Sequence, residues 1–174
     1  MRNDDFLVPL FSLNMHILEI PSFFTPYGGE FCLDQARALK AVGHEVRILS
    51  NVQLGMTVGL RDYLCLPYGR YEHEQEGVMV CQSFQRGMPL VVRWNVRRWV
   101  RIVCSMFDDY VGKYGVPDIL HAHCSKWAGD AAMLISRKYH VPYVITEHLE
   151  RACRFVVSGY QQRKEIRAHQ HAHH

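Results

Sequence analysis

No Cys-x-x-Cys pair, no apolar run of membrane-spanning length and no Gly-x-Gly-x-x-Gly order occurs in these 174 residues. The six cysteines (Cys32, Cys65, Cys81, Cys104, Cys124, Cys153) are scattered. Several lie in apolar runs such as Val78-Met79-Val80-Cys81, which suits buried free thiols in a reducing compartment better than a disulfide framework. A bilayer span needs about 20 apolar residues. Phe6 to Leu13 is too short and lacks a signal-peptide charge pattern, so a cytoplasmic location is expected. The net charge of +3 is too small to argue for nucleic acid. The missing glycine fingerprint, with no acidic residue closing the second expected strand, disfavours a nucleotide-binding oxidoreductase. No internal repeat or linker is present, and the His-rich end is the sole biased tract.

What is present is ordinary globular composition, 48% hydrophobic and 21% charged. A domain of this length buries roughly 70% of the surface of its unfolded chain, enough for a real core. Met15-His16-Ile17-Leu18 resembles a natural protein start, so residues 1–14 read as an upstream extension. His16–Ile20 reads as a strand closed by Pro21. Glu30–Val42 has helical spacing, with Phe31, Ala38, Leu39 and Val42 able to share a face, and Gly43 follows as a stop. Glu45–Leu49 is a second strand, completing a unit whose helix has the length of a parallel crossover. Residues 51–76 show no stable period. Val78–Phe84 is a short strand. Pro89–Tyr114 is a long amphipathic helix with Val92, Val96, Trp99, Val103, Met106 and Tyr110 at three- and four-residue steps. Then come a strand over 118–123, a helix over Gly129–Tyr139, a strand over Pro142–Thr146 and a helix-forming tail over Gly159–His174. The alternation predicts one α/β domain, a Rossmann-like parallel sheet with helices on both faces. Its His-rich end reads as a tag remnant or as a natural chain cut one element short.

Three clusters carry polar chemistry. Gly28-Gly29 lies between the first strand and first helix, where a backbone without side chains and the helix amides can receive an anion; a tight turn without ligand is the alternative. His121-Ala122-His123 ends a strand, where open parallel sheets put their ligands, and alternation turns both rings to one face. Near-contiguous ligands, even with Cys124, do not readily surround one ion, so no metal is expected; His121 reads as packed on the sheet and His123 as the crevice residue. Glu147-His148 follows the next strand. It can bind sugar hydroxyls or transfer protons, or Thr146 or Glu147 can satisfy the free amides of a helix start.

Taken in order, these segments resemble the N-terminal domain of GT-B glycosyltransferases, specifically the large retaining family 4. The matching pieces are Pro21-Ser22-Phe23-Phe24 with Gly28-Gly29, Ala38-Leu39 through Gly43-His44-Glu45-Val46, Pro117-Asp118-Ile119-Leu120-His121-Ala122-His123 with Ala128-Gly129, and Val141-Pro142 to Thr146-Glu147-His148. The similarity runs from about Met15 to the end, which makes residues 15–174 the acceptor-side domain. It implies that Gly28 and Gly29 bring amides to the donor diphosphate and border the acceptor pocket. It implies too that His123 lies beside the transferred sugar as the catalytic residue, with Glu147 and His148 near the same cleft. Such enzymes move a sugar from a nucleotide donor to an acceptor with retention and without metal or other cofactor, and the leaving phosphate is thought to take the acceptor's proton. The implied partners are a nucleotide-sugar donor and a cell-envelope glycan or lipid-linked acceptor. The family's second domain, with its Glu-x7-Glu motif and most of the donor site, has no counterpart here, so this chain alone is expected to be inactive.

The long helix also carries Arg93, Arg97 and Arg101 on one stripe, near Arg98 and Trp94. A solvated face is one reading; peripheral docking on anionic lipid, as in family members with lipid-linked acceptors, is the other. A rival to the enzyme is a non-catalytic module that pairs with a separate GT-B half or with itself.

Overall fold

The computed structural model describes residues 14–148 apart from 56–58, 66, 67 and 89. The expected extension lies almost entirely outside these residues, and the expected helix over Gly159–His174 lies wholly outside them. In chain order the elements are β1 (His16–Pro21), α1 (Glu30–Ala41), β2 (Glu45–Leu54), α2 (Leu60–Cys65), β3 (Gly69–Gln75), β4 (Val78–Arg86), α3 (Val92–Tyr114), β5 (Ile119–His123), α4 (Asp130–Tyr139) and β6 (Tyr143–Thr146). They build one six-stranded sheet in the order β3-β4-β2-β1-β5-β6. Every pairing is parallel except β3 with β4. The chain leaves β1 toward β2 on one side and returns to β5 on the other. Strand order therefore reverses between β1 and β5, where the carboxyl ends of such sheets open a crevice.

Strand alternation divides the interior into two cores. Ile17, Val46, Ile48, Val78 and Val80 meet Cys32, Leu33 and Ala36 of α1 on one face. Leu18, Ile20, Leu49, Leu120 and Ala122 meet α3 and α4 on the other. The expected α/β architecture with helices on both faces is the one observed.

Some local expectations are corrected. The buried side of α1 is Cys32, Leu33 and Ala36, with Leu39 and Phe31 partly covered. Ala38 and Val42 face out, because the helix turns its i, i+4 row beginning at Cys32 toward the sheet. Helix α3 starts at Val92 rather than Pro89, since Leu90 has φ 64°, outside the right-handed helical region. Of its expected stripe, Val92 is exposed and the other five are buried. The unreadable stretch holds the rest of β2, helix α2 and strand β3. Strands β3 and β4 form a hairpin in which Gln75 pairs with Val78 across Glu76-Gly77. Both turn residues have positive φ, the twist that two-residue hairpins require.

Candidate functional site

Strands β1 and β5 run in parallel with Glu19 opposite His121 and Pro21 opposite His123. Period-two alternation places Glu19, His121 and His123 on the α1 face, with the two imidazole centroids 4.4 Å apart. All three are buried, and Glu19 is fully so. Glu19 Oε2 accepts from His123 Nε2 at 2.5 Å and lies 3.0 Å from His121 Nδ1. On the far sides of the rings, His121 Nε2 meets Thr146 Oγ1 at 2.7 Å and His123 Nδ1 meets His148 Nε2 at 3.0 Å. Five side chains from β1, β5, β6 and the turn after β6 thus form one continuous hydrogen-bonded row.

Its electrostatics follow from burial and partners. Desolvation pushes the Glu19 carboxyl up, but the N–H groups of His121 and His123 outweigh it and hold the group below its ordinary value of 4.5. An ionised carboxylate therefore sits at the centre of the row. Desolvation first, and then the neighbouring His123 ring, pull His148 below 6.5.

The donor atoms of Glu19, His121 and His123 all lie within 4.8 Å of one another. A tetrahedral ion with bonds near 2.0–2.2 Å would hold its ligand atoms about 3.3 Å apart. The separations of 2.5 and 3.0 Å are shorter and are those of shared protons. By donor type the three could hold a metal ion, and in this arrangement they share protons.

The Gly28-Gly29 turn reaches this row through aromatic rings. Both glycines have positive φ, and Gly29 begins α1 with no side-chain cap on the helix amides. Phe31, in the first turn of α1, lies with its ring centroid 4.1 Å from that of His148 and 5.5 Å from that of His123. Phe23 packs edge-on against Phe31 at 5.9 Å. The structure therefore puts His123 beneath His148 and Phe31, and leaves His148 exposed at the crevice. Sequence reasoning missed Phe31, Glu19 and Ser22.

After β5 the backbone makes a wide turn over Ser125–Gly129, with Cys124 at φ 74° and Trp127 at φ 67°. Non-glycine residues in that region carry about 1–3 kcal/mol of strain each and persist where surroundings over-determine them. Here Ser22 shares its hydroxyl proton between the carbonyls of His123 and Lys126 and accepts from the Ala128 amide at 3.2 Å. Glu147 Oε2 accepts from the Ser125 amide at 3.0 Å and from its hydroxyl at 2.6 Å. Glu147 Oε1 takes the His148 amide at 3.1 Å. Its carboxylate thus braces this turn. A cavity of about 200 Å³ opens beside the turn, lined by Ser22, Phe23, Cys124, Lys126 and Trp127.

A sheet reversing at β1/β5, with a glycine turn and polar residues gathered at its carboxyl ends, narrows the possible families. Residues 28–174 match the family described as glycosyl transferase 4-like domain. The chain belongs to that family. It is 26% identical to the putative teichuronic acid biosynthesis glycosyltransferase TuaC of Bacillus subtilis (strain 168), over 74% of this chain and 33% of the relative. It spans about a third of that relative's length.

Two observations bear on the basic stripe of this glycosyl transferase 4-like domain. Arg93, Arg97 and Arg101 are exposed on α3, which packs on the sheet face opposite Glu19, so they do not join the histidine row. Just ahead of them Met88, Leu90, Val91, Val92 and Trp94 are exposed as well, Leu90 completely. No helix among the described residues is long and apolar enough to cross a membrane.

Proposed function

We propose that the chain is the acceptor-side half of a retaining glycosyltransferase that moves a sugar from a nucleotide donor to a cell-envelope glycan or lipid-linked acceptor. The observation that carries this reading is the meeting of the Gly28-Gly29 turn, through Phe31, with His123 and His148 at the β1/β5 reversal. In it, Gly28 and Gly29 bring amides to the donor diphosphate, His123 supports the transferred sugar through the row it belongs to, and Glu147 and His148 edge the acceptor pocket. The cavity against Phe23 and Trp127, with Lys126 on its rim, has the apolar-plus-cationic lining that an anionic glycan ring requires.

One wall holds a phosphate but does not exclude water from the reaction; that takes the facing domain. The 174-residue chain is therefore expected to give no glycoside product by mass spectrometry with UDP- or GDP-sugars and envelope glycans. Fused to the donor-binding half of a family member it gains turnover, and His123→Ala removes it. Robust transfer by the chain alone would overturn the half-site reading.

A lipid-linked acceptor lies at a membrane surface, and the exposed apolar ridge Leu90–Trp94 beside three arginines fits an anionic interface. At roughly 1 kcal/mol for each cation near the surface, the three arginines contribute about 3 kcal/mol, or ~100-fold in partitioning. The protein should sediment with phosphatidylglycerol vesicles and stay in solution with phosphatidylcholine. Equal sedimentation with both, or no change when Arg93, Arg97 and Arg101 become Ser, counts against docking through this face.

A further inference from the structure

The cavity beside the Ser125–Gly129 turn offers a ligand aromatic side chains and one uncommitted charge. At about 200 Å³ it is smaller than the roughly 300–1,000 Å³ of sites that take drug-sized molecules, so it has room for one ring. Phe23 and Trp127 supply its aromatic lining, and Ser22, Cys124 and Lys126 complete it. The Ser22 hydroxyl proton is already shared between the carbonyls of His123 and Lys126. Burial pushes the Cys124 thiol up to about 11, which leaves it neutral and a weak donor. The indole nitrogen of Trp127 is enclosed. Lys126 is different. Its side chain is half-buried, and its ammonium has no hydrogen bond or ion pair with any described residue.

The backbone holds this arrangement against a cost. Trp127 sits at φ 67° and ψ −62°, a rare and strained conformation. Its indole N–H is buried without a hydrogen-bond partner among the described residues, a second penalty at the same residue. Strained residues of this kind gather at ligand clamps, held by surroundings that over-determine them. Here Trp99 packs against the Trp127 ring, Ser22 ties the Lys126 carbonyl and Glu147 ties Ser125. Lys126 and Trp127 thus meet the cavity on a fixed backbone.

We propose that this cavity seats the accepting sugar ring and that Lys126 selects a ring bearing a carboxylate. This rests on the sugar-transfer reading above and narrows its acceptor to a uronate-type residue. A pyranose has C–H faces that rest against aromatic side chains, which Phe23 and Trp127 provide without regard to charge. The lining has little with which to read hydroxyls, since its one hydroxyl proton is committed. A neutral CH₂OH arm gives the ammonium only a neutral acceptor. A carboxylate gives it an ionised one, and charge-assisted hydrogen bonds are about twice as strong. No carboxylate lines the cavity to oppose that anion, and Glu147 is tied to Ser125 and to the His148 amide. A compact ammonium on a flexible stem also suits a single carboxylate that swings with its ring. A sugar phosphate carries charge of the same sign, and the experiment separates the two.

The intact chain suffices for the test, because every lining residue belongs to it. Its ¹H–¹⁵N spectra are titrated with the methyl glycosides of glucose and galactose and with the corresponding uronates. One uronate should bind about tenfold more tightly than its neutral parent, the gain from one charge-assisted contact at a half-buried site. Shifts should centre on Ser22, Phe23, Lys126 and the Trp127 indole. Lys126→Met should abolish the preference and Lys126→Arg restore part of it. Trp127→Leu should weaken neutral and charged sugars alike and keep their ratio. Equal affinity of the wild type for both members of each pair, or a preference that survives Lys126→Met, overturns the assignment. Tighter binding of glucose 6-phosphate than of either uronate overturns the carboxylate and gives the site to a sugar phosphate. In the fused enzyme, equal kcat/KM for uronate-ended and neutral acceptors also overturns it. A chain that shows the uronate preference while its fusion transfers no sugar supports the site and counts against the sugar-transfer reading alone.

Discussion

Trp99→Ala is expected to lower the unfolding free energy by roughly 3–5 kcal/mol, the range for deleting a large buried aromatic ring. Trp99 is fully buried in the core between the sheet and helices α3 and α4. Its indole Nε1 donates to the Asn51 carbonyl at 2.5 Å, and its ring lies 5.8 Å from that of Trp127. The alanine variant thus leaves a cavity, an unsatisfied carbonyl in β2 and an unsupported turn beside the candidate site. Trp99→Phe separates these contributions. It keeps most of the apolar volume and loses the N–H, which costs roughly 1–3 kcal/mol when the partner stays buried. Urea unfolding measures both through shifts in midpoint at constant slope. An alanine variant within 1 kcal/mol of wild type, or a phenylalanine variant as damaging as the alanine, would contradict this account.

The second large effect belongs to the glycine turn, and it distinguishes two adjacent residues. A Cβ on Gly29 would stand 2.4 Å from the Phe23 carbonyl oxygen and 3.0 Å from the Phe24 Cα, so backbone must move. A side chain in the left-handed region adds about 1–2 kcal/mol, and overpacking about 1–3 kcal/mol. Gly29→Ala should therefore cost roughly 2–5 kcal/mol. A Cβ on Gly28 meets only a Phe23 ring carbon at 3.8 Å. Gly28→Ala carries the conformational part alone, roughly 1–2 kcal/mol. Differential scanning calorimetry of the two variants should rank them with Gly29→Ala clearly the less stable. Equal melting temperatures would mean that the turn does not press on Phe23 as described. The ranking also separates the two positions: Gly29 is required for packing against the Phe23 backbone, whereas a methyl group on Gly28 meets only the edge of the Phe23 ring.

Much of this site was readable because two kinds of signal agreed. His-x-His at a strand end needs only alternation to put both rings on one face, and the observed rings do share one. Glycines between a strand and a helix likewise locate a turn without tertiary information. Glu19 is different. It is a single carboxylate in His16-Ile17-Leu18-Glu19-Ile20, and no local period tells which neighbour will meet it. The available signal was its cost: a carboxylate in an otherwise apolar buried strand must be paired, and histidines on an adjacent strand are suitable partners. Strand β3 escaped for the opposite reason. It is an edge strand whose Arg70 and Glu72 make exposed ion pairs with Asp109 and Lys113 of α3, so neither of its faces reads as apolar. The start of α3 was misjudged because Leu90, Val91 and Val92 extend the helix's apolar composition while lying on the surface.

The alternation along β1 has a consequence beyond packing. Leu18 and Ile20 belong to the core under α3 and α4, and Glu19 between them meets the two histidines on the other side. Odd and even positions of one short segment are two interleaved messages. Inserting a single residue ahead of Glu19 would exchange them, sending the carboxylate into an oily layer and a leucine toward two histidines. Substitutions at the crevice rim are read once, by whatever binds there. Insertions and deletions in β1 are read twice, so over evolutionary time its length should change far less freely than the loops around it.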